Sequence, residues 1–166
     1  MPTFEIVEGK IHHCGQMARI LRREQREPLV KANIPIHRAL RNQLEASSYR
    51  RAWLIDGRLA GLGGVHGTLA SPDGIIWLTL AEDALRYRKA IVAESRRQIE
   101  LIMGNCRKLI ASTLWFDWRA AEFAAFLGFE EQEPIVEDGV AYSIWMLAEG
   151  MEARTRRERR QMRRAA

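Results

Sequence analysis

Apolar and polar positions alternate from Thr3 to Glu8, with Phe4 and Ile6 set against Glu5 and Val7 before Gly9, and this predicts an opening strand. The period then changes. From His13 to Glu27 the apolar Met17, Ile20 and Leu21 recur at helical spacing, and Pro28 is expected to close that helix. A second short helix is expected over His37 to Ala46, where Ala39, Leu40 and Leu44 share a face. Arg51 to Val65 holds two apolar runs around Asp56-Gly57, a dipeptide suited to a tight hairpin turn. A turn at Ser71-Pro72-Asp73-Gly74 leads into Ile75 to Leu80, a short apolar run that suits the middle of a sheet. Asp83 to Met103 is the longest helical segment. Ala84, Tyr87, Ile91, Gln98 and Ile102 form its packing stripe, and Arg86, Lys89, Arg96 and Arg97 its wet side. After Gly104-Asn105, Lys108 to Phe116 reads as a strand. Asp117 is placed to cap the next helix, whose stripe Ala120, Phe123, Ala124 and Leu127 ends at Gly128-Phe129. Glu130 to Val136 and Val140 to Leu147 flank Glu137-Asp138-Gly139 as a second hairpin. The order strand, two helices, three strands, long helix, strand, short helix, two strands implies an α/β fold with a mixed, mostly antiparallel sheet flanked by helices.

Composition narrows this picture. With 166 residues, 47% of them hydrophobic, the chain can hide roughly two thirds of its unfolded surface and needs no disulfide or metal to hold a core. No apolar run approaches the ~18 residues of a membrane-spanning helix, and no basic leader follows Met1, so a protein outside membranes and not secreted is expected. Cys14 and Cys106 form no CxxC pair and are expected to be free thiols. The formal charge of +5 sits entirely in residues 151–166, which hold seven Arg and two Glu; the remaining 19 basic and 19 acidic side chains balance. The expected organisation is therefore a neutral body, 1–150, and a helix-prone basic arm, 151–166. Arg154, Arg156, Arg157, Arg159, Arg160, Arg163 and Arg164 can neutralise nucleic-acid phosphates or dock on an acidic protein face, or simply keep a solvated terminus soluble.

The element order, together with Asp117-Trp-Arg-Ala-Ala-Glu-Phe-Ala-Ala-Phe-Leu-Gly-Phe129, resembles the GNAT-type N-acetyltransferase fold. In that family an Asn-x-x-Ala segment ending in Leu-Gly-Phe follows the fifth strand, and here Ala120, Leu127, Gly128 and Phe129 match with Asp117 at the Asn position. Four segments, Arg26 to Leu40, Ser47 to Val65, Trp77 to Asp83 and the Leu-Gly-Phe ending, look like the GNAT-like proteins of tailed bacteriophages, some of which are internal virion or assembly proteins.

The resemblance implies an acyl-CoA diphosphate held on backbone N–H groups in a loop patterned Gln/Arg-x-x-Gly-x-Gly/Ala after the fourth strand. From Arg86 the glycine places hold Lys89 and Ile91; from Arg88 they hold Ile91 and Ala93. Ala81 to Met103 contains no glycine. A continuous helix, with Ile91 filling the place where a phosphate would approach, is therefore expected in place of an anion cradle. The family's general-acid Tyr falls on Ala124, which has no proton to donate, and Gly74 to Leu80 offers no carboxylate. Glu82 and Asp83 follow that run and are the available bases, although first-turn acids commonly serve the helix dipole.

His12-His13-Cys14 cannot all face one ion, so no metal is expected. Gly61-Leu-Gly-Gly-Val-His-Gly67 lacks the Lys-Ser/Thr of a phosphate loop, and its glycines suit a bulge or a close strand approach. Among the five Trp, Trp118 is the one expected at the surface.

The leading expectation is a non-catalytic GNAT-fold structural or assembly component of a phage virion. It would have no cofactor, would act in the virion or host cytoplasm, would meet other virion proteins or DNA through its arm, and could self-associate. The alternative is an acetyl-CoA-dependent N-acyltransferase with an atypical cofactor loop, with Glu82 or Asp83 as base and Leu80, Arg86, Arg88, Lys89, Ala90 and Ile91 around the cofactor. A third reading makes the body a partner-binding scaffold whose arm docks on a neighbouring subunit.

Overall fold

The computed structural model describes residues 2–67 and 73–150. The turn expected at Ser71-Pro72 and the basic arm lie outside the described residues. The chain divides into two compact units, Met1–Ile91 and Val92–Ala166.

In the first unit β1 (Phe4–Glu8), β2 (Ser47–Ile55), β3 (Arg58–His66) and β4 (Asp73–Leu80) pair in that order, each antiparallel to the next. The β2–β3 turn falls on Asp56 and Gly57, with φ of 50° and 73°, the positive pair that an Asp-Gly hairpin requires. Three helices, α1 (Ile11–Ile20), α2 (Arg23–Lys31) and α3 (Ile36–Glu45), connect β1 to β2. The apolar faces of α1 and α3, with Leu21 between α1 and α2, meet the sheet in a core of Cys14, Met17, Leu21, Leu40, Leu44, Ala52 and Leu62, while α2 buries none of its residues.

The single helix expected over His13–Glu27 is two helices. Leu21 and Arg22 take extended ψ values of 138° and 144°, and Leu21 forms an antiparallel bridge with Ala81. Pro28 does not end the second of them. Its ring removes a donor but leaves its carbonyl, which accepts the Ala32 N–H at 3.0 Å and carries the last turn to Lys31.

The glycines of β3 permit close approach. A Cβ at Gly64 would stand 2.5 Å from the Tyr49 carbonyl oxygen and 2.8 Å from Ser47 Oγ, and one at Gly63 would stand 2.8 Å from the Trp77 carbonyl oxygen. Ser47 Oγ accepts the Trp77 indole N–H at 2.8 Å and donates to the Gln43 carbonyl at 2.7 Å, tying α3 to β4 beneath that glycine.

The second unit holds β5 (Lys108–Leu114), β6 (Glu130–Glu131), β7 (Ile135–Glu137) and β8 (Val140–Ala148). β5 pairs with one edge of β8, and β6 and β7 with the other, all antiparallel. The segment expected as one strand from Glu130 to Val136 is interrupted at Gln132–Pro134, where Pro134 has no N–H to give the ladder. The β7–β8 turn repeats the Asp-Gly solution, with φ of 50° at Asp138 and 77° at Gly139.

Helix α4 (Arg88–Met103) carries Ser95, Gln98, Ile99 and Ile102 on its buried side. Helix α5 (Trp118–Phe126) has both expected ends. Asp117 Oδ1 accepts the Ala120 N–H at 3.1 Å, and Gly128, at φ 97°, allows Phe129 and Gly128 N–H to reach the Ala124 and Ala125 carbonyls. Cys14 is buried in the first core, where burial pushes its thiol pKa up, while Cys106 lies partly exposed between α4 and β5. Among the described residues no helix is long and apolar enough to cross a membrane.

Two outcomes follow. Gly64→Ala is expected to lose about 3 kcal/mol in urea denaturation, because backbone and not a flexible side chain blocks the new methyl; a loss under about 0.5 kcal/mol would show that the strands spread freely. The second concerns His13, buried at the start of α1, whose Nδ1 accepts the Lys10 N–H at 3.0 Å. Burial, then the charges of His12 and Lys10, hold its pKa below 6.5. The unfolded chain thus takes up a proton that the folded one resists, so stability is full above pH 6.5 and declines as pH falls through it. Urea midpoints near about pH 8 and about pH 5.5 should show that decline, and a smaller one in His13→Asn, whose side-chain oxygen accepts without titrating.

Candidate functional site

The end of β4 is where the sequence-derived candidates gather, and its backbone is held by the chain itself. Thr79 faces Leu62 across the ladder, and its hydroxyl donates to the Leu62 carbonyl at 3.0 Å. The Ala81 N–H donates to the Ala60 carbonyl at 2.8 Å. The polar groups of Leu78 and Leu80 meet the α1–α2 joint. Arg22 N–H donates to the Leu80 carbonyl at 3.1 Å. The Gln25 Nε2–H donates a hydrogen bond to the Leu78 carbonyl at 3.2 Å, and Gln25 Oε1 accepts the Leu80 N–H at 3.3 Å. One side chain, carrying a donor and an acceptor in the plane of an amide, thus does the work of a short neighbouring strand.

Beyond β4, a six-residue 3-10 turn, Glu82–Tyr87, runs into α4, and Arg88, at φ −48° and ψ −37°, keeps the backbone helical across the junction. This meets the expectation of a helical path in place of a glycine loop, with a tighter first turn. Glu82 Oε2 accepts the Arg23 N–H at 3.1 Å and so caps α2. Its carboxylate serves the neighbouring helix, whereas the expectation had been service to its own. Asp83 is exposed and paired with Arg86 at 3.5 Å. Arg88 and Lys89 are exposed, and Ala90 is half-buried.

Ile91 requires a correction. It is 2% exposed, its side chain turned into the interior, so it does not fill the space where a phosphate would approach. The sequence held the signal, since Ile91 shares the packing stripe of Ala84 and Ile102, both buried. A group of two acids and three cations, Glu82, Asp83, Arg86, Arg88 and Lys89, therefore lines the exposed side of the junction. Ala124 is buried within α5 and has no proton to give. No cluster of three His, Cys, Asp or Glu among the described residues is arranged to hold a metal ion. The seven arm arginines lie outside the described residues.

Trp115 was missed. It was read as strand core, but β5 ends at Leu114, and Trp115 and Phe116 project outward with Trp118.

No family model matches the chain, and no curated protein matches it. Solved structures do. The aminoglycoside acetyltransferase AAC(6')-Ib in complex with coenzyme A matches with a TM-score of 0.68 and 15% identity, over 93% of this chain and 99% of that one. RimL, a ribosomal L7/L12 α-N-protein acetyltransferase solved with coenzyme A, matches at 0.63 and 7% identity, over 92% of this chain and 96% of that one. The ribosomal-protein-S5-alanine acetyltransferase from Vibrio fischeri matches at 0.63 and 9% identity, over 92% and 99%. These are GNAT-fold acetyltransferases, and the α/β fold expected from the sequence, a mixed sheet flanked by helices, is theirs. None of the three is a virion protein, so the narrower phage resemblance draws no support from them. The expectation of no cofactor is corrected by the same structures, since AAC(6')-Ib is solved with coenzyme A and with acetyl-CoA, and RimL with coenzyme A.

Gln25→Ala should leave Leu80 N–H and the Leu78 carbonyl without their partner and cost the first unit about 2 kcal/mol. Hydrogen exchange at the Leu80 amide reads this directly; protection equal to that of the parent chain would mean that the carboxamide is not what holds the strand end.

Proposed function

We propose that the chain is an acyl-CoA-dependent N-acyltransferase that holds the cofactor's phosphates with side-chain cations in place of bare main chain. The observation that carries this reading is the inward side chain of Ile91, which leaves the 3-10 turn and the first residues of α4 presenting Arg86, Arg88 and Lys89. A diphosphate needs dense positive charge and many donors. Guanidinium groups supply both in a planar fork, and an ammonium adds a point charge. The residues present fit such a ligand, and the coenzyme A and acetyl-CoA held by AAC(6')-Ib support its identity. When bound, the cofactor supplies an acyl thioester. In such a transfer the acceptor amine's nitrogen would bond to the acyl carbon as the carbon–sulfur bond breaks, the sulfur leaving as the coenzyme A thiolate and the amine's proton passing to a base on this chain.

Asp83 suits that role better than Glu82. Glu82 is engaged in capping α2, whereas Asp83 is exposed, its negative charge balanced by Arg86. Leu80 takes part through the strand end it closes, with both of its backbone groups already bonded to α2 and its approach.

A non-catalytic reading, in which this fold serves as a structural or assembly component, keeps one observation in its favour: Ala124 stands where the family's proton donor falls. Titration calorimetry with acetyl-CoA, followed by transfer assays on a panel of primary amines, separates the two. Binding is expected at micromolar concentration, weakening about 100-fold when Arg86, Arg88 and Lys89 are all changed to Gln, as loss of charge-assisted contacts demands. Asp83→Asn should cut the transfer rate by about 10²-fold or more with affinity unchanged, and Glu82→Gln should cut it far less. Absence of heat, or affinity indifferent to the triple change, would defeat the acyltransferase reading; binding without transfer to any amine would favour the non-catalytic one.

A further inference from the structure

The second unit holds a cleft of about 420 Å³ that takes no part in the candidate site, and every residue lining it falls within Val92–Ala166. Small-molecule sites span roughly 300–1,000 Å³, so the cleft is large enough for one. One wall is a stripe of α4, where Arg96, Ile99, Glu100 and Met103 stand at i, i+3, i+4 and i+7 and so share a helix face. The end of α5 brings Leu127 to the cleft, and the end of β8 brings Leu147 and, just past the strand, Glu149. Ile99 is buried and Met103, Leu127 and Leu147 are half-buried, which makes the lining apolar, while Arg96, Glu100 and Glu149 are exposed. The charges among these residues do not cancel. Arg96 precedes Glu100 by four residues, a spacing at which helical ion pairs form, yet its guanidinium goes elsewhere. Its Nη2 donates to the Phe126 carbonyl in the last turn of α5 at 2.9 Å. Glu100 and Glu149 make no ion pair among the described residues. The Glu149 backbone is fixed, since its N–H donates to the Arg107 carbonyl at 2.8 Å.

We propose that this cleft binds a small amphipathic amine, a compact apolar body carrying one cationic nitrogen. The body takes the lining of Ile99, Met103, Leu127 and Leu147, whose surface gains by leaving water. The nitrogen takes the carboxylates. An ammonium has several donors and no acceptor, and Glu100 and Glu149 accept them with the strength that charge adds to a hydrogen bond. An anionic head would meet two like charges against one guanidinium that is already bonded to α5. A neutral head would leave both carboxylates unanswered. The same Arg96 bond ties α4 to α5, so two walls of the cleft are held before any ligand arrives. None of Glu82, Asp83, Arg86, Arg88 and Lys89 lines it, and the proposal therefore stands apart from the acyltransferase reading.

Calorimetric titration of the full chain with n-octylamine, n-octanol and n-octanoate tests the proposal, because the three share one apolar body and differ only in the head. At about pH 7.5 an alkylamine is protonated. Octylamine is expected to bind, octanol about tenfold or more weakly than the amine, and octanoate more weakly still. Changing Glu100 and Glu149 together to Gln should bring octylamine down to the affinity of the alcohol and leave the alcohol unchanged. Both positions are exposed, and circular dichroism checks that the fold persists. Octylamine should also shift the Met103 methyl resonance, identified by its loss in Met103→Leu. Equal affinity for the three heads, tighter binding of octanoate, or an octylamine affinity indifferent to the double change would overturn the proposal. So would absence of binding, and so would heat without a shift at Met103, which would place the amine elsewhere on the chain.

Discussion

A strand that ends inside a folded chain leaves backbone donors and acceptors that must be satisfied, and the organisation of the first unit follows from how this is done at the end of β4. Leu78 and Leu80 find their partners in Arg22 and the Gln25 carboxamide. To bring those groups to the strand, the chain breaks its helix at Leu21 and Arg22. That break lets Leu21 bridge Ala81 and lets Glu82 cap α2. Helix, strand and turn are thus held by one small set of hydrogen bonds, and the candidate site is built on the residues that follow it. The proposed base Asp83 and the proposed phosphate-binding cations Arg86, Arg88 and Lys89 would gain position from this anchoring, since a mobile strand end would scatter them.

Those same residues change what the absence of glycine means. A glycine loop recognises phosphate through main-chain amides, and its loss from Ala81 to Met103 first reads as the loss of the site. The inward turn of Ile91 removes the steric half of that objection, and the exposed cations answer the electrostatic half. The proposed side-chain recognition would cost more conformational entropy than a preformed amide nest, because three long side chains would have to be ordered on binding.

Elements whose ends are fixed by local chemistry were legible in the sequence. Asp56-Gly57 and Asp138-Gly139 sit at positive φ, and Asp117 and Gly128 bound α5 by a side-chain cap and a left-handed stop. Features decided by tertiary contact were not. Nothing between Met17 and Glu27 announces a break, because the bridge to Ala81, sixty residues on, enforces it. Pro28 looked terminal because its missing donor is visible in the sequence, while the acceptance of Ala32 N–H by its carbonyl is not. Ile91 was assigned at once to a packing stripe and to a phosphate contact, which one side chain cannot serve together; the helical period held the right answer. Trp115 reads as core by residue type and is displaced by the end of β5, a boundary that composition does not mark.

The two sulfurs differ in a way that has practical weight. Cys14 is enclosed among Met17, Leu40 and Leu44 with its thiol held in the unreactive protonated form, whereas Cys106 is partly open to solvent in the link between α4 and β5. A maleimide dye or spin label added to the native protein will accordingly attach at one position. The chain comes with a single chemical handle on its second unit, and no cysteine need be removed to use it.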